Sequence, residues 1–151
     1  MVYLGADHGG FQLKEQIKQW LNQWNIPYQD IGAQQFDAQD DYPQFALAVA
    51  QAVARHPQEH RGILACRSAA GMVIAANKVK NVRAVAPHDV TAAQHAREHN
   101  DANVLGLSGD WLNEAMAKDI VHIWLNTAFS QADRHLRRLD TIKQFEQQHW
   151  H

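Results

Sequence analysis

Short apolar runs alternate along the chain with longer segments in which apolar residues recur every three or four positions. Val2 to Ala6 is the first apolar run, and Asp7-His8-Gly9-Gly10 ends it. Leu13, Ile17, Trp20, Leu21 and Trp24 then fall on one face of a helix. Asn25-Ile26-Pro27 breaks that helix, and Tyr28 to Gly32 reads as a weaker second strand. A polar loop, Ala33 to Asp41, leads to a helix opened by Pro43, with Ala46, Val49, Ala50 and Val53 on its apolar face. Arg61 to Cys66 is a third strand, Ser68 to Gly71 a small-residue turn, and Met72 to Val79 a short buried helix. Val82 to Ala86 is a fourth strand, and Thr91 to His99 a helix capped near Asp89. Ala102 to Leu107 is a fifth strand. Leu112 to Thr127 is a helix with Leu112, Met116, Ile120, Ile123 and Trp124 facing inward. Arg134 to Gln148 forms the last helix.

Regular alternation of strand and helix predicts a parallel sheet covered on both faces, a three-layer α/β sandwich with five strands and a C-terminal helix. The length of 151 residues fits a single domain, residues 1–151. In such folds ligands gather outside the carboxyl ends of the strands. Asp7, His8, the stretch from Cys66 to Gly71, and His88-Asp89 are therefore expected on one rim. His99 and Asn100 precede the fifth strand and fall on the opposite rim.

Composition narrows the classes. Hydrophobic residues are 46% and charged residues 20% of the chain, which fits a globular protein and not a disordered one. A net charge of -2 argues against a general nucleic-acid binder. No apolar run is long enough for a membrane span, and the polar residues at Asp7 and His8 come too early for a secretory signal. The single cysteine excludes an internal disulfide and points to a reducing compartment, so the cytoplasm is the expected location.

Cys66 ends a strand just before a helix, where backbone amides stabilise an anion. It reads either as a nucleophile or base, or as a small buried core residue. The turn from Cys66 to Gly71 could cradle an anion, or simply let helix and strand pack closely. Asp7-His8-Gly9-Gly10 has the look of a sugar- or phosphate-binding turn, but no G-x-G-x-x-G follows the first strand, which disfavours a dinucleotide site. Taken singly, a capping Asp and a surface His explain that turn as well. His95-Ala96-Arg97-Glu98-His99 spells H-x-x-E-H, an inverted zinc-peptidase pattern. With ten histidines in the chain and no third ligand on a downstream helix, no metal is expected. Arg134 and Arg138 are four apart on one helix face, a spacing that suits a phosphate monoester or a solvated basic face.

Together these stretches resemble the type B ribose-5-phosphate isomerase family, which also includes galactose-6-phosphate isomerase subunits. The resemblance runs through GADHGGFQLKEQI (Gly5 to Ile17), DYP (Asp41 to Pro43), GILAC (Gly62 to Cys66), GMVIAANKV (Gly71 to Val79), VRAV (Val82 to Val85), REHNDANVL (Arg97 to Leu105) and RHLRRL (Arg134 to Leu139). It implies a flavodoxin-like or Rossmann-like fold, no metal or organic cofactor, and a homodimer or dimer of dimers with shared active sites. It implies interconversion of an aldose phosphate and a ketose phosphate, with Cys66 as the base. Amides of Arg67, Ser68, Ala69, Ala70 and Gly71 would hold the enediolate oxygen, and Ser68 supplies a hydroxyl where threonine is usual. His99 would assist ring opening, with Asn100 beside it, both from the partner subunit. Asp7 would bind a sugar hydroxyl, and His8, Arg134 and Arg138 the phosphate.

Three departures from the family pattern stand out. Arg67, Ala69 and Ala70 intrude on a glycine-rich loop, so the loop is expected to take a different path, because a Cβ is costly at positive φ. Asp110 stands where an arginine is usual. Gln131-Ala132-Asp133 replaces a glycine-rich lead into Arg134. Arg67 is expected to restore the charge lost at Asp110, paired with it. The leading function is ribose 5-phosphate to ribulose 5-phosphate isomerisation in the pentose phosphate pathway. The alternatives are an isomerase of allose or galactose 6-phosphate, or a non-catalytic sugar-phosphate binder. Trp150 and the C-terminal helix hint at a contact between subunits.

Overall fold

The computed structural model describes residues 1–150; His151, the last residue of the expected domain, lies outside the described residues. Five strands and six helices follow in order: β1 (Val2–Ala6), α1 (Phe11–Gln23), β2 (Tyr28–Asp30), α2 (Tyr42–Ala54), β3 (Arg61–Cys66), α3 (Ala70–Ala76), β4 (Ala84–Val85), α4 (Val90–Asn100), β5 (Val104–Ser108), α5 (Glu114–Asn126) and α6 (Asp133–His149). All strand pairings are parallel, in the order β2-β1-β3-β5-β4. The three-layer α/β expectation holds. The order is that of a flavodoxin with its last two strands exchanged, so the two-residue β4 is an edge and β5 lies inside.

Alternation along the inner strands separates two cores. Leu4, Ile63, Ala65, Leu105 and Leu107 join Ile17, Trp20, Leu21, Ile120 and Trp124 on the face covered by α1 and α5. Leu64, Cys66 and Val104 point the other way, onto Val49, Val53 and Met72 of α2 and α3. Period-2 side-chain direction thus turns Cys66 toward α3.

Element ends moved where local hydrogen bonds outweighed hydrophobic pattern. Strand β2 stops at Asp30 because Asp30 Oδ1 accepts the Gly32 N–H at 3.0 Å and turns the chain. Helix α3 begins earlier than expected, at Ala70, and stops at Ala76. Its C-cap, Asn77, pairs both ways with the Ala84 backbone (2.9 and 2.8 Å) and fixes the start of β4. Helix α5 starts after Asn113, whose Oδ1 accepts the Met116 N–H at 2.8 Å, so Leu112 and Met116 are only partly buried. Asp89 caps α4 as expected, accepting the Ala92 N–H at 2.7 Å.

Ion pairs that the apolar pattern does not mark tie layers together. Lys14, 1% exposed, reaches Asp30 at 2.7 Å and also donates to the Ala33 carbonyl. Buried Arg97 bonds Asp101 (2.8 Å) and the Ala102 carbonyl (2.7 Å), while Arg83 bonds the other oxygen of Asp101 at 2.9 Å.

Candidate active site

The turns after β1, β3 and β5 meet at one rim of the sheet, and glycines let them. A Cβ on Gly10 would lie 2.0 Å from the Ala65 carbonyl oxygen, and one on Gly9 would lie 3.0 Å from the Arg67 nitrogen. One on Gly109 would lie 2.8 Å from the Gly9 oxygen. The Gly109 N–H donates to the Cys66 carbonyl at 2.8 Å, and the Ser108 hydroxyl donates to that of Arg67.

This closure buries Asp7 and Cys66 side by side. Asp7 Oδ1 accepts the Gly10 N–H at 3.1 Å. Burial pushes the Asp7 carboxyl up from its ordinary value, against the pull of the Gly10 amide and His8, and with a further push from Asp40. Cys66 Sγ accepts the Ala69 N–H at 3.1 Å. Burial also pushes the Cys66 thiol up; the Ala69 amide opposes this, and the Asp7 charge adds to it. At rest Cys66 is therefore a thiol, with an amide already placed to receive a thiolate.

The loop after Cys66 differs from expectation in a specific way. The expectation is a different path, because a Cβ is costly at positive φ. Instead Ala69 itself takes φ 66 at the head of α3, at a cost of about 1–2 kcal/mol for a residue with a Cβ. The gain is an amide aimed at the sulfur. Arg67 Nη1 lies 3.7 Å from Asp110 Oδ2, as the charge exchange suggested, with both side chains largely exposed. Ser68 and Ala69 line a cavity of about 130 Å³ with Pro87, His88, Gly106 and Trp111. His88 extends to solvent, 86% exposed, with its Nε2 3.2 Å from Asp89 Oδ2.

Two residues at this rim escaped the reading of the sequence. Asp40, from the loop before α2, bonds the His8 backbone N–H at 2.9 Å and the His8 ring at 2.7 Å. The Tyr42 ring lies against Gly71, where an added Cβ would come within 2.7 Å of it. Neither is legible from spacing, since both sit in or just beyond a polar loop far from the strands they serve.

The other predicted residues lie elsewhere. Helix α4 runs back from the rim, so His99 and Asn100 end at the opposite edge of the sheet, as their place before β5 requires. Arg134 and Arg138 begin α6 on that same edge. The expectation that His8, Arg134 and Arg138 grip one phosphate is thus not met within one chain: α5 returns the chain to the far edge before α6 starts. What the far edge does bring together is His95, His99 and His135, their rings 4.7 and 4.5 Å apart in sequence along a stack. His135 is pinned between Ser130 Oγ (2.8 Å at Nδ1) and the Arg134 Nε–H (3.2 Å at Nε2). Burial and the neighbouring His99, Arg134 and Arg138 hold its pKa below the ordinary value.

Among the described residues, the group whose metal-ligating atoms gather within 4.8 Å of one another is Asp7, His8 and Asp40, not the H-x-x-E-H pair. Two of these atoms are already committed, His8 Nδ1 to Asp40 and Asp7 Oδ1 to Gly10, so hydrogen bonding accounts for the cluster.

A parallel α/β sandwich that gathers a buried thiol, a carboxylate and the Ala69 amide at one rim holds the groups that proton transfer on a small polar substrate requires. Residues 2–142 match the family described as Ribose/Galactose Isomerase, and the chain belongs to that family. It is 43% identical to ribose-5-phosphate isomerase B of Mycolicibacterium paratuberculosis over 98% of this chain and 92% of that one. It is 37% identical to the putative sugar phosphate isomerase YwlF of Bacillus subtilis, covering 97% of each. Ribose-5-phosphate isomerase B from Mycoplasma genitalium, solved with bound ribulose-5-phosphate, superposes with a TM-score of 0.93 at 38% identity, over 97% of this chain and 95% of that one. The type B enzyme of Trypanosoma brucei gives 0.87 at 40% identity, covering 96% and 97%.

Proposed function

We propose that this isomerase interconverts ribose 5-phosphate and ribulose 5-phosphate through a cis-enediolate, in pentose phosphate metabolism of the cytoplasm. The observation that carries the reading is Cys66 Sγ, held beside Asp7 at 3.1 Å from the Ala69 amide, in a chain so similar to ribose-5-phosphate isomerases B. The Cys66 thiolate takes the proton from the carbon next to the carbonyl and returns it to the former carbonyl carbon. Amides from Arg67 to Gly71 stabilise the oxyanion that develops between these steps. Asp7 holds a sugar hydroxyl, and His8 the phosphate.

His99, Asn100, Arg134 and Arg138 complete the site from a second copy, which supplies the ring-opening acid–base group and two guanidinium groups. Two features support this arrangement: these residues share one edge, and α6 leaves Leu136, Ile142 and Phe145 exposed beside them. No helix among the described residues is long and apolar enough to cross a membrane. The test is turnover of ribose 5-phosphate by the wild type and Cys66→Ala. Loss of a base should lower kcat by about 10²–10⁴-fold with binding retained; undiminished activity overturns the mechanism. The cavity beside Ser68 supports a second reading, an allose or galactose 6-phosphate substrate, so kcat/KM for both belongs in the same assay.

A further inference from the structure

His8 is the polar side chain of the β1–α1 turn that faces outward, and something must set its direction and charge. Asp40 does both. Its Oδ1 accepts from the His8 backbone N–H at 2.9 Å and from Nδ1–H at 2.7 Å, closing a small ring around one carboxylate oxygen. The carboxylate is itself placed by a turn: Asp37 Oδ1 accepts the Gln39 N–H at 2.9 Å, and the Asp37 carbonyl accepts the Asp40 N–H at 3.1 Å. Phe36 from the same loop sets its ring edge-on to His8, 6.5 Å between centroids.

We propose that Asp40 is a positioning residue for the phosphate subsite: by taking Nδ1 of His8 it fixes the ring and commits Nε2–H to the substrate's phosphate. The proposal rests on the reading of His8 as a phosphate ligand given above. The Asp40 side chain is only 6% exposed, and among the described residues its Oδ2 is buried without a hydrogen-bond partner. A buried carboxylate so poorly satisfied is costly unless an opposite charge accompanies it, and His8 is the cation in contact. The pair therefore favours an imidazolium, a better partner for a phosphate dianion than a neutral ring.

The surrounding charges agree in direction. The hydrogen bond to Asp40 raises the His8 pKa most; partial burial opposes it, the charges of Asp7 and Asp40 add to it, and Arg67 subtracts from it. These come from every element that faces the ring: Asp7 from the end of β1, Asp40 from the loop before α2, and Arg67 from the turn after β3. Since Arg67 is drawn toward Asp110, its opposing effect is the part most open to relief.

The decisive measurement compares KM and kcat for ribose 5-phosphate across pH in the wild type, Asp40→Asn, Asp40→Glu and His8→Ala. For the wild type, KM should stay low through neutral pH and climb as His8 loses its proton. In Asp40→Asn that climb should begin at lower pH, with KM raised about tenfold near pH 7.5 and kcat little changed, the scale of one charge-assisted hydrogen bond. Asp40→Glu should restore part of the shift. If His8→Ala raises KM but Asp40→Asn leaves its pH profile in place, the positioning role is overturned while the phosphate reading stands. If His8→Ala leaves KM unchanged, the phosphate reading itself fails. An NMR titration of the His8 ring in the folded wild type needs no variant to fold. A midpoint above the ordinary histidine value supports the proposal, and one at or below it overturns it.

Discussion

Cys66 joins two requirements that oppose each other. A base must lose its proton, yet burial and the neighbouring Asp7 charge keep the thiol protonated, and the Ala69 amide offsets only part of that. The rate should therefore follow thiolate formation. We expect kcat, measured at saturating substrate so that the His8 effect on KM is removed, to rise with pH above neutrality and to level off only past the raised thiol value, as stopped assays across pH would record. A profile flat from pH 6 to 9 would contradict a thiolate base. Arg67 carries the second residue-scale prediction. Its pair with Asp110 is exposed, and such pairs contribute at most about 1 kcal/mol to stability. Arg67→Ala should leave the melting temperature nearly unchanged. If Arg67 replaces the charge that Asp110 removes, KM for the sugar phosphate should rise about tenfold. An unchanged KM would leave Arg67 as a solvent-facing side chain.

At the scale of elements, the HNDANV run (His99 to Val104) divides its work. His99 and Asn100 stay on the surface of α4, whereas Asp101 and Asn103 are structural. Asp101 turns the chain at φ 45 and receives both Arg97 and Arg83. Asn103 accepts the Arg83 N–H and donates to the Asn81 carbonyl, both at 2.8 Å, joining β4 to β5. Asp101→Asn keeps the shape and tolerates the left-handed backbone, but it strips the countercharge from Arg97, which is 4% exposed. Urea unfolding should show a loss of about 3–5 kcal/mol, the cost of leaving a buried charge unpaired. A change under 1 kcal/mol would mean that Arg97 is satisfied by the Ala102 and Thr127 carbonyls alone.

The whole molecule separates its predicted chemistry onto two edges, and this has a consequence for assembly. If each active site joins one rim to the far edge of a partner, Cys66→Ala and His99→Asn should each be inactive alone. Dissociated and reassociated together, they should recover about a quarter of wild-type turnover, because about half of the reassociated pairs would be mixed and each mixed pair would carry one intact site of two. No recovery on mixing would place all the chemistry within single chains. The far edge also governs acid stability. The His135 pKa lies below the ordinary 6.5, so as pH falls through that value the unfolded chain binds more protons than the folded chain. Its contribution is complete above the ordinary value and declines as pH falls through it toward the lowered folded value. His8 has the opposite sign, contributing below its ordinary value and losing that contribution as pH rises through its raised one. Thermal melts from pH 7.5 to 5 should fall less steeply for His135→Gln than for the wild type; parallel curves would remove His135 from the acid response.

The alternation of apolar runs and helical stripes determined the layers, the parallel sheet and the rim that holds Asp7, His8 and Cys66, because burial on both faces of a strand makes its residues apolar in one continuous run. Local sequence also determined the Asp89 cap, whose partner is three residues away. Element ends were less legible, since Asp30, Asn77 and Asn113 act through hydrogen bonds that hydrophobic period does not register. The sequence could not decide which distant loops meet. Asp40 lies 32 residues from His8, and only the pairing of β1 between β2 and β3 carries one to the other. Nor could it decide that Arg134 and Arg138 sit away from His8, because that depends on the direction in which α5 crosses the sheet. Residue type and spacing set what each side chain can do; strand order and helix direction decided which of them do it together.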